Sequence, residues 1–293
     1  MQLAISILNR NGLNDTIQCI DSILQSNFST FSIFLLDNWS KNREYEKLKE
    51  KYWDNGKIKI NKSDTNLWFT WWNNFNIEQI LKEKDSDYIL LLNNDCIVKK
   101  HFISKFVEWI EKHNQKWIYW PIIKWPHWEI QAIGSYLNLR TWSSTRLKSI
   151  NWDYNEVDYV TGSCMAIPTE LIEKIWWLDD KFFAYREETD FCLRARNEWY
   201  KSYALNVDWI IHKEESATKK VKPYYTYFMF RNRIFFLKKH ANRLQYSFSY
   251  IVLLWYLMIV FPKNFGFRNY KYALKGIRDW IKNIWWNFCQ LIT

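Results

Sequence analysis

Six side chains stand out for the chemistry their positions permit. Asp37 and Asp95 each close an apolar run, Phe31 to Leu36 and Tyr88 to Leu92. Glu187, Glu188 and Asp190 fall within four consecutive positions, and His212 ends the apolar run Val207 to Ile211. Group transfer from a diphosphate leaves negative charge on the departing oxygens, which a divalent cation neutralises. A hard cation such as Mg²⁺ or Mn²⁺ takes carboxylate oxygens, water and phosphate, and for Mn²⁺ sometimes an imidazole. The displacement also needs a carboxylate to take the acceptor's proton. Asp95 and His212 suit the first need; Glu187, Glu188 or Asp190 suits the second.

The elements that would position these groups alternate in type. Ala4 to Leu8 reads as a buried strand and Asn9 to Gly12 as a turn. Asn14 or Asp15 then caps a helix carrying Ile17, Ile20, Ile23 and Leu24. Phe31 to Leu36 is a second strand. Asn74 to Lys84 is helical, Tyr88 to Leu92 a third strand, and His101 to His113 helical again. Farther on, Val157 to Ile167 is strand-like around Gly162. A short helix runs from Pro168-Thr169 to Ile175, and another follows Asp190. Strand–helix alternation implies βαβ units and a mostly parallel α/β sheet, whose ligands bind beyond the carboxyl ends of the strands. Two successive strands ending in an acid therefore point to a shared site.

Five blocks in order resemble glycosyltransferase family 2, especially its rhamnosyltransferase-like members. They are Ile5-Ser6-Ile7-Leu8-Asn9-Arg10-Asn11-Gly12; Leu35-Leu36-Asp37-Asn38-Trp39-Ser40; Asn66-Leu67-Trp68-Phe69-Thr70-Trp71-Trp72-Asn73-Asn74; Leu91-Leu92-Asn93-Asn94-Asp95; and Phe182 to Arg194. The resemblance runs from about Ile5 to His240 and implies a GT-A fold and an inverting, metal-dependent transfer from a nucleoside-diphosphate sugar. It implies that Asp37 holds the base or ribose, with Leu8 and Asn11 lining that pocket. Asn74 and Asn93 would help seat the nucleotide, and Asp95 and His212 would ligate Mg²⁺ or Mn²⁺. Glu188 takes the place of the family's aspartate as general base, with Glu187 and Asp190 as rivals. Gly162 and Ser163 would shape the acceptor side. Arg194, one turn after Asp190, reads as its ion-pair partner rather than a substrate contact. A nucleotidyltransferase, or an inactive nucleotide-binding membrane scaffold, is the alternative function.

The chain departs from that family in one systematic way. It has 20 Trp and 6 Gly. Trp39, Trp68, Trp71, Trp72, Trp120, Trp176, Trp177 and Trp199 stand at family glycine positions, and Trp117, Trp128 and Trp280 extend the set. Glycine serves where φ is positive or backbones approach closely, and tryptophan supplies neither. The polar motif residues are intact, so general drift is a poor explanation. A codon such as UGA, assigned to tryptophan by one code and glycine by another, accounts for both the excess and the scarcity. It predicts positive φ at several of these tryptophans.

Charge divides the chain. Residues 219–293 hold fourteen Lys/Arg against one acid, Asp279, whereas residues 1–218 carry a net charge of −3. The basic part surrounds the apolar run Leu244 to Phe261, which argues against a nucleic-acid partner and for an anionic membrane surface. We expect a catalytic domain over 1–222 and a membrane-associating helical tail over 223–293. The acceptor would be lipid-linked or a cell-surface polysaccharide. The five scattered cysteines include no Cys-x-x-Cys pair, and Met1 to Ser6 lacks a signal-peptide layout, so the expected location is cytoplasmic, peripheral on the inner face of the plasma membrane.

Overall fold

A computed structural model describes residues 1–113, 116–141, 143–150, 153–213 and 223–282, with 208–209 and 260–268 as backbone only. In chain order the elements are β1 (Leu3–Asn9), α1 (Leu13–Leu24), β2 (Phe31–Asn38), α2 (Glu44–Tyr52), β3 (Ile58–Ser63), α3 (Phe69–Glu83), β4 (Tyr88–Asn93), β5 (Cys96–Val98), α4 (Phe102–His113), β6 (Ile118–Lys124) and β7 (Ile130–Ala132). There follow β8 (Ser135–Asn138), β9 (Ser143–Arg146), β10 (Tyr154–Val157), β11 (Cys164–Pro168), α5 (Thr169–Ile175), α6 (Glu187–Asn197), β12 (Ser202–His212), α7 (Pro223–His240), α8 (Arg243–Trp255), a π-helical turn (Tyr256–Val260) and α9 (Phe261–Ile281).

The main sheet runs β10-β12-β6-β11-β4-β1-β2-β3, with β5 paired to β12 and β7 to β6. β1 is parallel to β2 and β4, and β2 to β3. β1 and β2 are apolar nearly throughout because helices cover both faces of the sheet. Register then aligns the strand ends: Leu8 lies between Leu36 and Asn93, and Asn9 beside Asp37. At the other side β12 is antiparallel to β5, and this pairing sets His212 opposite Cys96, next to Asp95.

Four local expectations are corrected. α1 has Gly12 as its N-cap, with no side-chain cap from Asn14 or Asp15. A Cβ at Gly12 would lie 2.7 Å from Asn94 Nδ2, so close approach of two loops explains this glycine. α3 begins at Phe69, five residues before Asn74, since Trp68 is the extended N-cap. The run 157–167 is broken between β10 and β11, because Ser135 pairs with Tyr159 and the Ser163 carbonyl accepts from Asn93 N. β12 starts at Ser202, where parallel pairing with β6 begins.

Residue 223 is not a boundary in packing terms. Asn232 on α7 donates through Nδ2 toward the carbonyls of Phe182, Ala184 and Tyr185 at 2.7–2.9 Å. Arg231 donates to the Lys181 carbonyl. α7 thus clamps the loop that leads into α6. α8, the π turn and α9 pack on α7 around Phe230, Ile234, Leu253, Leu257 and Ala273. Among the described residues, no helix is long and apolar enough to cross a membrane.

Trp39, Trp128, Trp176 and Trp199 have φ of 53°, 76°, 57° and 69°. The expectation of positive φ is met at these four and not at Trp68, Trp71, Trp72, Trp117, Trp120, Trp177 or Trp280.

Candidate functional site

The acid ending β4 meets the histidine ending β12. Asp95 Oδ1 lies 3.0 Å from His212 Nε2, with His212 buried and Asp95 half-buried. That Asp95 oxygen is shielded from solvent and receives no hydrogen bond, so the approach to His212 is off the hydrogen-bonding direction. His212 Nδ1 is 2.9 Å from Gln131 Oε1. A proton on Nδ1, donated to Gln131, leaves the Nε2 lone pair facing the same point as Asp95. Two cis ligands bound at about 2.1 Å to an octahedral cation stand about 3 Å apart. The spacing and the orphaned oxygen both fit a divalent ion. Cys96 also lies within 4.8 Å in this group. Burial pushes its thiol well above the ordinary range, and its Sγ is directed to the Ser163 carbonyl at 3.6 Å, so it is a poor ligand for a hard cation.

A second layer ties this point to the strand ends beside it. Asn94 Nδ2 donates to Thr16 Oγ1, Thr16 Oγ1 donates to Asn9 Oδ1, and Asn9 Nδ2 donates to Asp37 Oδ1 at 2.6 Å. Asp37 is fully buried, and its other oxygen accepts from Ser40 N at 3.2 Å. Asn11 bridges the same loops: its N–H donates to Ser40 Oγ, and its side-chain oxygen accepts from Lys41 N. Leu8 is half-buried beside them. Asp37 and Asn11 therefore tie together the loops that follow β1 and β2. Asn93 reaches His212 Nε2 at 3.4 Å. Asn74 is differently occupied: its Nδ2 donates to the Leu178 carbonyl at 3.0 Å and to Asp180 Oδ1 at 2.6 Å. It braces the segment before Phe182, and its side-chain oxygen is shielded without a hydrogen-bond partner.

The acidic block opens α6. Its three acids lie in the first turn, at the positive end of the helix dipole. The approach is conformationally unusual, since Phe183, Tyr185 and Arg186 all have positive φ. The bonds from Asn232 and the Trp68–Phe183 ring contact, 4.1 Å between centroids, hold that backbone. Gly162 sits against Phe69, with Ser163 next in chain beside Asn93. The segments 160–163, 68–69 and 183–188 thus link the acidic block to the Asp95 end of β4.

The three acids are not equivalent. Asp190 is wholly buried, with His240 Nε2 at 2.6 Å and Lys239 Nζ at 2.8 Å from Oδ1, and Arg194 Nε at 2.8 Å from Oδ2. Burial would raise its pKa, but the His240 hydrogen bond and the Arg194 and Lys239 charges outweigh it and hold Asp190 below the usual range. Both oxygens are committed, so Asp190 is removed from the candidate bases. Arg194 is its partner, as read from the sequence, and also donates to the carbonyls of Ile175, Trp176 and Trp177. Glu187 and Glu188 each have a shielded oxygen with no hydrogen-bond partner. Burial and the Glu188 charge push Glu187 well above the carboxylate range. Glu188 is raised by burial but eased by backbone hydrogen bonding, the Arg186 charge and a hydrogen bond with Glu187. Burial thus raises both carboxyls, and the hydrogen bond between them favours the charge on Glu188.

A family model, "Glycosyl transferase family 2", matches residues 3–176. The chain belongs to glycosyl transferase family 2. A curated relative, "Low-salt glycan biosynthesis hexosyltransferase Agl10" of Haloferax volcanii, is 31% identical over 138 residues, 42% of this chain and 43% of the relative. The chain thus matches less than half of that relative's length. Among solved structures, S. aureus TarS 1-349 superposes with a TM-score of 0.61 at 13% identity, covering 97% of this chain and 81% of TarS 1-349. GalNAc-T7, solved with UDP, GalNAc and Mn2+, gives 0.62 at 13% identity over 99% of this chain and 58% of its own. These likenesses establish the GT-A fold: a mostly parallel sheet flanked by helices.

Gln131 and His240 lie outside the five motif blocks, and Asn9, inside the first, has no role implied by the resemblance; their importance comes from what they touch. A 990 Å³ surface cavity lined by Leu24, Phe31, Tyr52 and Gly56 lies at the amino ends of β2 and β3, opposite the strand ends that bind ligands in such sheets.

Proposed function

We propose that this chain is a metal-dependent, inverting glycosyltransferase moving a hexose or deoxyhexose, rhamnose among the candidates, from a nucleoside-diphosphate sugar. The acceptor is a lipid-linked or cell-surface polysaccharide precursor, met at the inner face of the plasma membrane. The observation that carries the reading is the Asp95–His212 pair, whose orphaned oxygen and 3.0 Å spacing suit Mg²⁺ or Mn²⁺ at the carboxyl end of β4. GalNAc-T7 binds UDP and Mn2+, and TarS binds UDP-GlcNAc, within the same fold; this supports a nucleotide-sugar donor here.

When bound, the cation neutralises charge growing on the leaving diphosphate. Gln131 fixes the His212 tautomer, and the Asn94–Thr16–Asn9–Asp37 chain holds the strand-end loops at a fixed spacing, so little reorganisation accompanies transfer. Glu188 takes the proton from the acceptor hydroxyl. Burial raises its pKa, which makes it a stronger base than an ordinary carboxylate, and the Arg186 charge and the hydrogen bond from Glu187 act in the opposite sense to favour its ionised form. Glu187 keeps its proton and donates to it.

Replacement of Glu188 by Gln tests the assignment. Transfer should fall by roughly 10²–10⁴-fold, with donor affinity in calorimetry unchanged. Full transfer activity in Glu188→Gln would reject the base.

A further inference from the structure

We propose that the outer face of α8 and its π turn lies in the plane of an anionic bilayer, held there by the basic face of α9. This deepens the membrane-side reading above and rests on it only for its purpose, since lipid binding is measurable without transfer. α8 turns Ser249, Leu253 and Leu257 inward onto the bundle or the 139–140 carbonyls. A surface helix is ordinarily polar on its other side. Here that side shows Leu244, Phe248, Ile251, Leu254, Met258 and Ile259, from 41% to 84% exposed. From Leu244 to Met258 the spacing is three or four residues, which makes one continuous stripe, and Ile259 adjoins its end. Arg243 is the one charged residue from 243 to 260.

α9 complements it. A Cβ at Gly276 would fall 2.4 Å from the Tyr227 carbonyl, so α9 is pressed against α7 along its Ala273–Gly276–Asp279 side. The opposite side presents Lys271, Leu274, Arg278, Ile281 and Lys282, exposed at helical spacing. Cations interleaved with aliphatic residues match the boundary between headgroups and acyl chains, where long side chains keep their charge in water. Residues 219–293 oppose fourteen cations with a single acid, and that acid, Asp279, is buried between Tyr227 and Arg278, whose guanidinium it binds at 2.8 Å, so Lys271 and Lys282 are the cations this face offers without that pairing. This charge selects an anionic lipid surface over an apolar protein patch.

Co-sedimentation of the whole chain with vesicles of phosphatidylglycerol and phosphatidylcholine tests it. The protein should pellet with mixed vesicles and remain in solution with phosphatidylcholine alone. Leu244→Asp/Phe248→Asp/Ile251→Asp and, separately, Lys271→Gln/Lys275→Gln/Lys282→Gln should each weaken binding about tenfold or more, with unchanged circular dichroism and donor hydrolysis. Equal binding to neutral vesicles, or undiminished binding by both triple variants, would overturn the proposal. So would a wild-type oligomer that ignores vesicles and dissociates in the Asp variant, which would make the stripe a self-association face.

An independent observation carries a second inference: we infer that Trp39, Trp128, Trp176 and Trp199 are inserted as glycine when the source cell translates this chain. They are four of the eleven non-glycine residues with positive φ among the described residues. Trp176, with φ 57° and ψ 163°, occupies a region that is essentially glycine's alone. All four indoles are at least half exposed, so burial of the ring contributes little against the backbone conformation. Elsewhere the indole N–H groups of Trp72, Trp120 and Trp177 are shielded without an acceptor. Only Gly134, among glycines of the described residues, itself has positive φ. Mass spectrometry of the chain purified from its own cells should read glycine at all four positions. Tryptophan there would overturn the inference, as would a recombinant quadruple Trp→Gly variant melting below the literal chain.

Discussion

Two aspartate–histidine pairs in this molecule look alike on paper and behave in opposite ways. Asp190 and His240 are 2.6 Å apart, and Arg194 and Lys239 complete a ring of donors around a carboxylate with no exposure. Asp95 and His212 are 3.0 Å apart, yet the Asp95 oxygen accepts nothing and its side chain is a quarter exposed. The first pair has both carboxylate oxygens engaged by donors and serves as a brace between α6 and α7. The second has lone pairs to spare at a strand end. What separates a structural acid from a ligand is its remaining hydrogen-bonding capacity, not the identity of its nearest partner.

Mutation should separate the two pairs by the quantity that changes. Asp95→Ala should lower kcat/KM about a thousandfold or more and leave the melting temperature within a degree or two; steady-state kinetics and calorimetry would read both. Asp190→Asn should do the reverse. It removes the charge that faces Arg194, while Lys239 keeps Asp179, and denaturant titration should show a loss of about 1–3 kcal/mol. The pH dependence carries a sign. Asp190 titrates below the usual range when folded, so its stabilisation is present above the unfolded carboxylate pKa of about 4 and is lost as pH falls through the lower folded value. Asp190→Asn should flatten that acid loss.

A smaller effect distinguishes Glu187 from Glu188. Glu187→Gln keeps a neutral donor beside Glu188 and should leave the acid limb of the pH–rate profile in place. Glu187→Ala removes the hydrogen bond that favours ionised Glu188, so the limb should move to higher pH. An unchanged limb in the alanine variant would break the assignment of Glu187 as the protonated neighbour.

The contrast also shows where sequence is readable. Asp37 and Asp95 were legible because each ends an apolar run, and parallel register puts such ends together. The Arg194–Asp190 pair was legible because it spans one helical turn. The contacts from His240 and Lys239 were not, since they cross 50 residues of chain and depend on how α7 folds back. Gln131 was invisible for the same reason, being 81 residues from His212. Asn74 fits a nucleotide-seating motif, but packing turns its amide toward Asp180. The exposed stripe on α8 follows from periodicity only once the inward face is known.

The central claim is that Asp95 and His212 hold a divalent cation against the donor diphosphate. Mn²⁺ binding followed by electron paramagnetic resonance, with UDP present, tests it most directly. The account predicts bound Mn²⁺ in the wild-type chain, loss in Asp95→Ala, and weakening in His212→Ala, with Asp190→Asn unaffected wherever it remains folded. Undiminished Mn²⁺ binding by Asp95→Ala would contradict it.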